Sequence, residues 1–280
     1  MPELPEVETV ARGVDARVRG DRIVDVWFAS HREPFKTSAA RQARGLEGRS
    51  FVTVHRTGKH IVCELSEPGP VPTGTGTPAA QWIVHLGMTG RLLVTTPDAP
   101  VAPHTHARLT LASGRELRFV DPRRFGRLEF LDLTRVGGFS GPGAEPLTIG
   151  PEEFVKLFRG RTLAIKAAML NQTLLAGVGN IYADESLFRA GIRPRRAAGR
   201  LTRAELERLR LALLEVLHHA IRLGGSSVSD YVDAEGVRGF FQLEHCVYQR
   251  TGEPCRTCST PIRRIVVGGR STHYCPRCQK

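Results

Sequence analysis

The sequence predicts an α+β fold: an N-terminal antiparallel β-sandwich with a flanking helix, then a helical domain, then a small cysteine-bearing ribbon. Three observations carry this reading. Short runs of alternating apolar and polar residues, separated by turn signals, fill the chain up to about residue 135. Beyond that point the apolar residues recur at helical spacing. The final stretch holds two Cys-x2-Cys pairs. The boundaries that follow are a β domain over 1–135, a linker over 136–150, a helical domain over 151–245 and the ribbon over 246–280. With 280 residues and 41% hydrophobic content the chain can bury two cores.

In order along the chain, Val7, Val10, Val14 and Val18 form one apolar stripe, which predicts a helix over about 6–18. Strands are expected at about 22–29, 51–56, 60–65, 81–86, 91–95, 107–112, 116–120 and 127–132, joined by turns such as Ser113-Gly114. The Pro/Gly/Thr-rich segment 66–80 reads as a flexible loop between two of them. Val136-Gly-Gly-Phe-Ser-Gly-Pro-Gly143 has linker composition. Helices are expected at about 151–159, 162–170, 180–190 and 203–223. The last begins with a capping box from Thr202 to Glu205, carries a stripe of Leu206, Leu209, Leu213, Leu217 and Ile221, and stops at Gly224-Gly225.

Cys255-x2-Cys258 and Cys275-x2-Cys278 stand sixteen residues apart, the spacing of a four-cysteine zinc ribbon. Arg263 to Arg270 reads as a hairpin turning at Gly268-Gly269. Four protein ligands leave no open position, so such a zinc is structural. The competing reading is two disulfides. Nothing near the N-terminus resembles a signal peptide, so a reducing cytoplasm is expected, and zinc with it. Cys63 and Cys246 have no partner at ligand spacing and read as ordinary buried thiols.

Forty basic against twenty-eight acidic residues give a net charge of +12, the profile of a polyanion binder. From Arg250 to Lys280 there are seven basic residues and one acidic one. No apolar run approaches the roughly 18 residues that span a membrane, so nucleic acid is the expected partner.

At the start, Met1-Pro-Glu-Leu-Pro-Glu-Val-Glu8 sets a carboxylate directly after a proline. Removal of Met1 would leave Pro2 as a free secondary amine with Glu3 beside it. An α-amine titrates near 7.7–8.0 against about 10.4 for lysine, so near pH 7 it is on the order of a hundred times more often unprotonated. That suits Schiff-base chemistry with an aldehyde-like carbon while a neighbouring acid moves protons. The plainer reading is a Pro-containing helix start with Glu3 and Glu6 at its positive end. Three further constellations lie between the ends. Thr57-Gly58-Lys59 puts Lys59 at a hairpin tip, where most lysines are merely solvated. His85-Leu-Gly-Met-Thr-Gly90 and Asp121-Pro-Arg-Arg-Phe-Gly126 place Met88 and Phe125 in Gly-bounded loops. Such residues are normally core, but an aromatic following Arg123 and Arg124 suits a wedge into a base stack. In Asn171 to Glu185 a helix breaks at Gly177-Val-Gly179 and restarts with Asn180 as N-cap, a geometry that can bind phosphate.

Taken together, these motifs resemble the formamidopyrimidine-DNA glycosylases, bacterial enzymes that excise oxidised purines such as 8-oxoguanine from DNA. The resemblance covers essentially the whole chain. It rests on Pro-Glu-Leu-Pro-Glu-Val-Glu at 2–8, Gly58-Lys59, the 85–90 and 121–126 motifs, the Asn171–Glu185 helix–two-turn–helix and the ribbon. It implies a bifunctional glycosylase and abasic-site lyase of base excision repair, acting on damaged double-stranded DNA as a monomer. Pro2 would attack C1′ of the damaged nucleotide, and β,δ-elimination would cut the strand. Glu3 would donate the proton that opens the sugar, and Lys59 would serve excision and contact phosphate. Met88, Arg123 and Phe125 would fill the void left by the flipped base. Asn180 and Arg270 would clamp phosphates, and Arg124 and His104 would add DNA contacts. The segment from Ser226 through Phe241 would close over the everted purine. Two departures stand out: the 66–80 loop is longer than usual, and His104-Thr-His106 has threonine where aspartate is common. Read from the residues themselves, these histidines are expected to be structural.

Two other functions fit parts of the pattern. An endonuclease VIII-type glycosylase for oxidised pyrimidines shares the Pro-Glu start, but Leu4, Met88 and Phe125 argue against it. A non-catalytic zinc-ribbon DNA binder is opposed by intact Pro2, Glu3 and Lys59.

Overall fold

The computed structural model describes residues 1–30, 35–69, 77–227 and 231–280. Part of the 66–80 loop (70–76) and part of the segment expected to cover a flipped base (228–230) therefore lie outside the described residues. The chain forms two compact units. One comprises Met1–Gly141 with Gly224–Gly239, the other Pro142–Leu223 with Phe240–Lys280. Residues 224–239, which the sequence assigns to the helical block, thus pack with the N-terminal unit.

In the first unit, helix α1 (Leu4–Val18) precedes β1 (Ile23–Phe28), α2 (Ala39–Leu46), β2 (Phe51–Thr57), β3 (His60–Leu65), β4 (Ala80–His85), β5 (Arg91–Thr95), β6 (Thr105–Leu111), β7 (Glu116–Val120) and β8 (Arg127–Asp132). The strands make two four-stranded antiparallel sheets, ordered β1-β6-β7-β5 and β2-β3-β4-β8. Val7, Val10, Ala11, Val14 and Val18 of α1 join inward residues of both sheets, among them Ile61, Trp82, Leu109 and Phe119, in one core. That is the sandwich with flanking helix that the alternation predicts.

Helix α2 is an addition. Its sequence, Ala-Ala-Arg-Gln-Ala-Arg-Gly-Leu, buries only Gln42 and Leu46, so it shows no apolar stripe. It is held by polar contacts instead. The Gln42 amide donates to Thr37 O at 2.7 Å and accepts from the indole N–H of fully buried Trp82 at 3.0 Å.

The second unit contains α3 (Pro151–Phe158), α4 (Ile165–Met169), α5 (Asn180–Arg189), α6 (Arg203–Arg222) and the hairpin β9 (Arg263–Val267) and β10 (Arg270–Tyr274). The capping box on α6 forms as expected. Glu205 accepts from Thr202 N at 2.8 Å, and Thr202 Oγ1 accepts from Glu205 N at 3.2 Å. Of its predicted stripe, Leu206, Leu209, Leu213 and Leu217 are buried while Ile221 is half-buried, and Val216 and Ala220 share the apolar face. Asn180 is not the cap of α5. Gly179 occupies that position in extended conformation, and Asn180 is the first helical residue.

Cys63 is fully buried, which pushes its thiol well up and leaves it inert. Cys246 is only half-buried, short of the buried thiol the sequence suggests. Among the described residues no helix is long and apolar enough to cross a membrane.

Candidate active site

Pro2 and Glu3 are both buried at the start of α1. Glu3 is the N-cap, and its amide donates to Glu6 Oε2 at 2.8 Å. The other oxygen of Glu6 accepts from Ser226 N at 2.7 Å, and its carbonyl accepts from the Tyr231 hydroxyl at 3.3 Å. Gly225 lies against this carboxylate: with φ at +82° and a would-be Cβ only 2.9 Å from Glu6 Oε1, the position admits no side chain. Glu6, which the sequence offers merely as a helix-start acid, is thus the strut that holds the Pro2-Glu3 backbone and the first residues after α6 together. Burial beside that carboxylate pushes the Tyr231 phenol far up, so it remains a neutral donor.

Lys59 departs from the ordinary hairpin lysine: it is 9% exposed. The turn that carries it is braced by Arg56, whose guanidinium pairs with Glu8 of α1 at 2.8 Å and donates to Gly58 O at 3.1 Å. This ties the hairpin to the helix bearing Pro2 and Glu3. The His60 and His85 rings pack against each other in a tilted contact, 4.9 Å between centroids. Desolvation first, then His60 and Lys59, lower the His85 pKa to about 4, and burial lowers His60 as well. Both rings are therefore neutral at pH 7.

Met88 and Phe125 are 39% and 49% exposed, so neither belongs to the core. Their two loops are organised by one fully buried carboxylate. Asp121 accepts from Thr89 Oγ1 at 2.6 Å, from Gly126 N at 2.7 Å and from Arg123 N at 3.3 Å. The loops touch backbone to backbone, since a Cβ on Gly87 would sit 2.5 Å from Gly126 N. The Arg123 guanidinium lies 4.9 Å from the Phe125 ring centroid, stiffening the exposed aromatic. His106 is buried and bonds Asp121 O at 2.9 Å, the structural role the sequence allows, whereas His104 is exposed.

In the second unit the side-chain amide of Asn180 donates to Ser271 O at 3.0 Å, next to exposed Arg270. Gln172 staples the two turns by donating to Leu170 O and Val178 O and accepting from Gly177 N, at 2.8–3.0 Å. Beneath lies a fully buried ion pair, Lys166 with Asp184 at 2.7 Å. Lys166 also donates to Ser271 O and Thr272 Oγ1 at 2.8 Å each, and Asp184 accepts from His273 N at 2.8 Å. Glu185 accepts from the amides of Cys246, Val247 and Tyr248 at 2.8–2.9 Å, and burial raises its pKa. Two adjacent acids at the end of the 171–185 motif therefore anchor the hairpin and the segment leading to it. A polar run on a helix that is otherwise buried was the available signal.

The ligand sulfurs of Cys255, Cys258, Cys275 and Cys278 lie within 4.8 Å of one another. Cys258 Sγ is 3.4 Å from Cys275 Sγ and Cys255 Sγ is 3.9 Å from Cys278 Sγ. Tetrahedral thiolates about 2.3 Å from one zinc stand about 3.8 Å apart, so the geometry fits the ion. The amides of Thr257 and Cys278 donate to Cys255 Sγ and Cys275 Sγ at 3.4 Å each, as thiolate ligands require.

Three family models match: the formamidopyrimidine-DNA glycosylase N-terminal domain over residues 1–128, the H2TH domain of the same enzymes over 141–232, and a zinc finger found in FPG and IleRS over 252–280. The chain belongs to the formamidopyrimidine-DNA glycosylase family. The formamidopyrimidine-DNA glycosylase of Solibacter usitatus is 46% identical over the full length of both chains, and that of Thioalkalivibrio sulfidiphilus 44%. Among solved structures, a Lactococcus lactis FPG mutant in complex with Fapy-dG containing DNA matches with a TM-score of 0.87, at 34% identity and full coverage of both chains. The Thermus thermophilus enzyme of the family matches at 0.83 with 40% identity, covering 99% of this chain and 98% of that one. As a member of this family the chain is a DNA glycosylase of base excision repair with lyase activity at abasic sites, and its ribbon holds one structural zinc.

Proposed function

We propose that this enzyme excises oxidised purines, 8-oxoguanine and formamidopyrimidines, from double-stranded DNA through a Schiff base on Pro2. Freed of Met1, the Pro2 amine attacks C1′ as the glycosidic bond breaks and the base leaves with a proton. Glu3 gives a proton to O4′, the C1′–O4′ bond opens, and an iminium forms between Pro2 and C1′. That cation acidifies C2′. Loss of a C2′ proton expels the 3′ phosphate, a second elimination expels the 5′ phosphate, and water releases the sugar fragment from Pro2. The observation that carries this reading is the Pro2-Glu3 pair held buried at the head of α1, with Glu6 fixing the Glu3 amide.

The other residues serve access to the base. Eversion costs a few kcal/mol, which Met88, Arg123 and Phe125 offset by occupying the gap. Lys59 promotes excision and meets a phosphate, and Asn180, Arg270, Arg124 and His104 add contacts that carry no sequence information. Their unusual exposure or fixed backbone supports these roles. The enzyme acts as a monomer, in the cytoplasm, on damaged DNA. Relatives from Lactococcus lactis are seen with Fapy-dG, with an abasic site and with an oxidised pyrimidine in DNA, so a panel of single-lesion duplexes is the way to rank substrates.

Borohydride trapping on an 8-oxoguanine duplex tests the assignment. The processed enzyme should give a covalent adduct. Pro2→Gly, or protein shown by mass spectrometry to retain Met1, should bind DNA but trap little or nothing. Normal trapping by Met1-bearing protein would refute the Pro2 nucleophile, and absence of trapping by processed enzyme would favour a non-catalytic binder.

A further inference from the structure

The chain has two tryptophans. Trp82 is fully buried and hydrogen-bonded, while Trp27, on the sheet-edge strand β1, is 42% exposed. An exposed indole on an edge strand serves no core. Arg108, paired with Trp27 on the neighbouring strand β6, lies over the indole ring with its guanidinium carbon 5.8 Å from the centroid. Trp27 also lines a cavity of about 330 Å³ together with Ala29, Ser30, His104, Thr105, His106 and Arg124.

Two of these residues are unusual. His104 and Arg124 both adopt left-handed backbone, with φ at +64° and +57°. Non-glycine residues hold such conformations only when their surroundings impose them. The imposing element is visible: Asp121 N donates to His104 O at 3.0 Å and Arg124 N donates to Asp121 O at 3.3 Å, so the Asp121 backbone ties together the two separate segments that carry these side chains. Among the described residues neither side chain forms a hydrogen bond or an ion pair, so a basic donor pair stands over the cavity without internal anions. Arg124 sits between Arg123 and Phe125, which ties the cavity to the wedge loop.

We propose that this cavity is a subsite for one nucleotide of the DNA backbone flanking the lesion, with its phosphate on His104 and Arg124 and its sugar or base against Trp27. The proposal rests on the DNA-facing roles given above to His104 and Arg124 and extends them to Trp27, Ser30 and the cavity. A phosphate is the anion a backbone supplies at every step, and an indole offers a stacking surface indifferent to sequence. The subsite therefore adds affinity without selecting bases, and it fixes the strand at a set distance from the wedge. A free mononucleotide would supply the same groups, but without the neighbouring phosphate contacts it should bind far more weakly.

The indole provides its own reporter. Titration of the zinc-loaded enzyme with a duplex carrying a tetrahydrofuran abasic analogue should quench or shift the intrinsic fluorescence and reduce acrylamide quenching, because Trp82 is already shielded. The same titration of Trp27→Phe should show almost no change. Trp27→Ala should bind the duplex about five- to tenfold more weakly, the lower part of the range for one lost stacking contact, and Trp27→Phe should recover most of that loss. Adenosine monophosphate at the same concentration should leave the emission unaltered. If wild-type enzyme binds and traps damaged DNA while Trp27 emission and acrylamide access stay unchanged and Trp27→Ala binds like wild type, the subsite is refuted and the proposed function stands. If wild-type enzyme neither binds nor traps damaged DNA, it is the proposed function that falls. A response to the mononucleotide alone would overturn the backbone assignment in favour of a free-nucleotide site.

Discussion

Replacing Asp121 with Asn should loosen the 85–90 and 121–126 loops while leaving the shape of the side chain almost intact. The native carboxylate accepts from Thr89 Oγ1, Gly126 N and Arg123 N at 2.6, 2.7 and 3.3 Å, on two separate oxygens, and is fully buried. An asparagine keeps one oxygen for Thr89 and Arg123. Its NH2 group must then face the Gly126 amide, donor against donor. Two buried donors, the Gly126 amide and the new NH2, then lack partners, at about 1–3 kcal/mol each, so the expected destabilisation is about 2–6 kcal/mol. Because the chain has two compact units, unfolding of the whole molecule need not be a single transition. The measurement should therefore be urea unfolding followed by a probe in the N-terminal unit, such as the emission of buried Trp82. DNA binding supplies the second readout. The preference for an abasic-analogue duplex over an undamaged one should shrink, since Met88 and Phe125 would no longer be presented rigidly. An Asp121→Asn enzyme within about 0.5 kcal/mol of wild type, with its lesion preference intact, would show that the carboxylate does not organise these loops.

Glu3→Gln should slow base release by orders of magnitude with little loss of lesion binding, as single-turnover excision beside a binding titration would show. Lys59→Ala should impair excision of 8-oxoguanine more than cleavage at a preformed abasic site, and equal losses on both substrates would reduce Lys59 to a phosphate contact. Cys258→Ser should release zinc and weaken DNA binding while α6 and the N-terminal sandwich stay folded, checked by metal analysis and circular dichroism. Arg270→Ala should keep the zinc and flatten the salt dependence of binding by about one phosphate contact. Stability should also fall in acid. The folded-state pKa values of His85 and His245 are lowered to about 4, chiefly by burial, so the unfolded chain takes up their protons first. The stability tied to their neutral forms is complete above about pH 6.5 and is lost as pH falls towards 4. Denaturation midpoints across that window, compared between wild type and His85→Gln, measure the contribution.

Elements whose stability comes from an apolar face were legible in the sequence. The α1 stripe of valines, the four leucines of α6 and the alternating strands all show the period that their burial imposes. Helix α2 was not, because it buries a glutamine through hydrogen bonds and offers no period to read. The site divides in the same way. Pro2, Glu3 and the cysteines announce themselves by residue type and spacing. Glu6, Asp121, Lys166, Asp184 and Glu185 work through partners distant in the chain, such as Ser226, Thr89, Thr272, His273 and Val247. Their chemistry as ordinary acids and a lysine carries no mark of that pairing. Asn180 shows the limit from the other side: a helix-start asparagine suggests a cap, but Gly179 takes that position and the Asn180 amide turns to Ser271 instead.

The return of Gly224–Gly239 to the N-terminal unit bears on how the molecule is made. Ala234 accepts from Val94 N at 3.0 Å and meets α1 so closely that a Cβ on Gly13 would lie 3.0 Å from its own Cβ, and Tyr231 joins the same core. A ribosome releases the two sheets and α1 long before these residues emerge. The sandwich must wait with one flank uncovered, and with the Glu6 strut unclosed, until the intervening helices have been synthesised. Closure of the Glu6 contacts with Ser226 and Tyr231 beside Pro2 and Glu3 is thereby deferred to late in translation. A fragment ending near residue 141 should be prone to aggregate through the bare face of α1, and adding the 224–239 segment in trans should protect it.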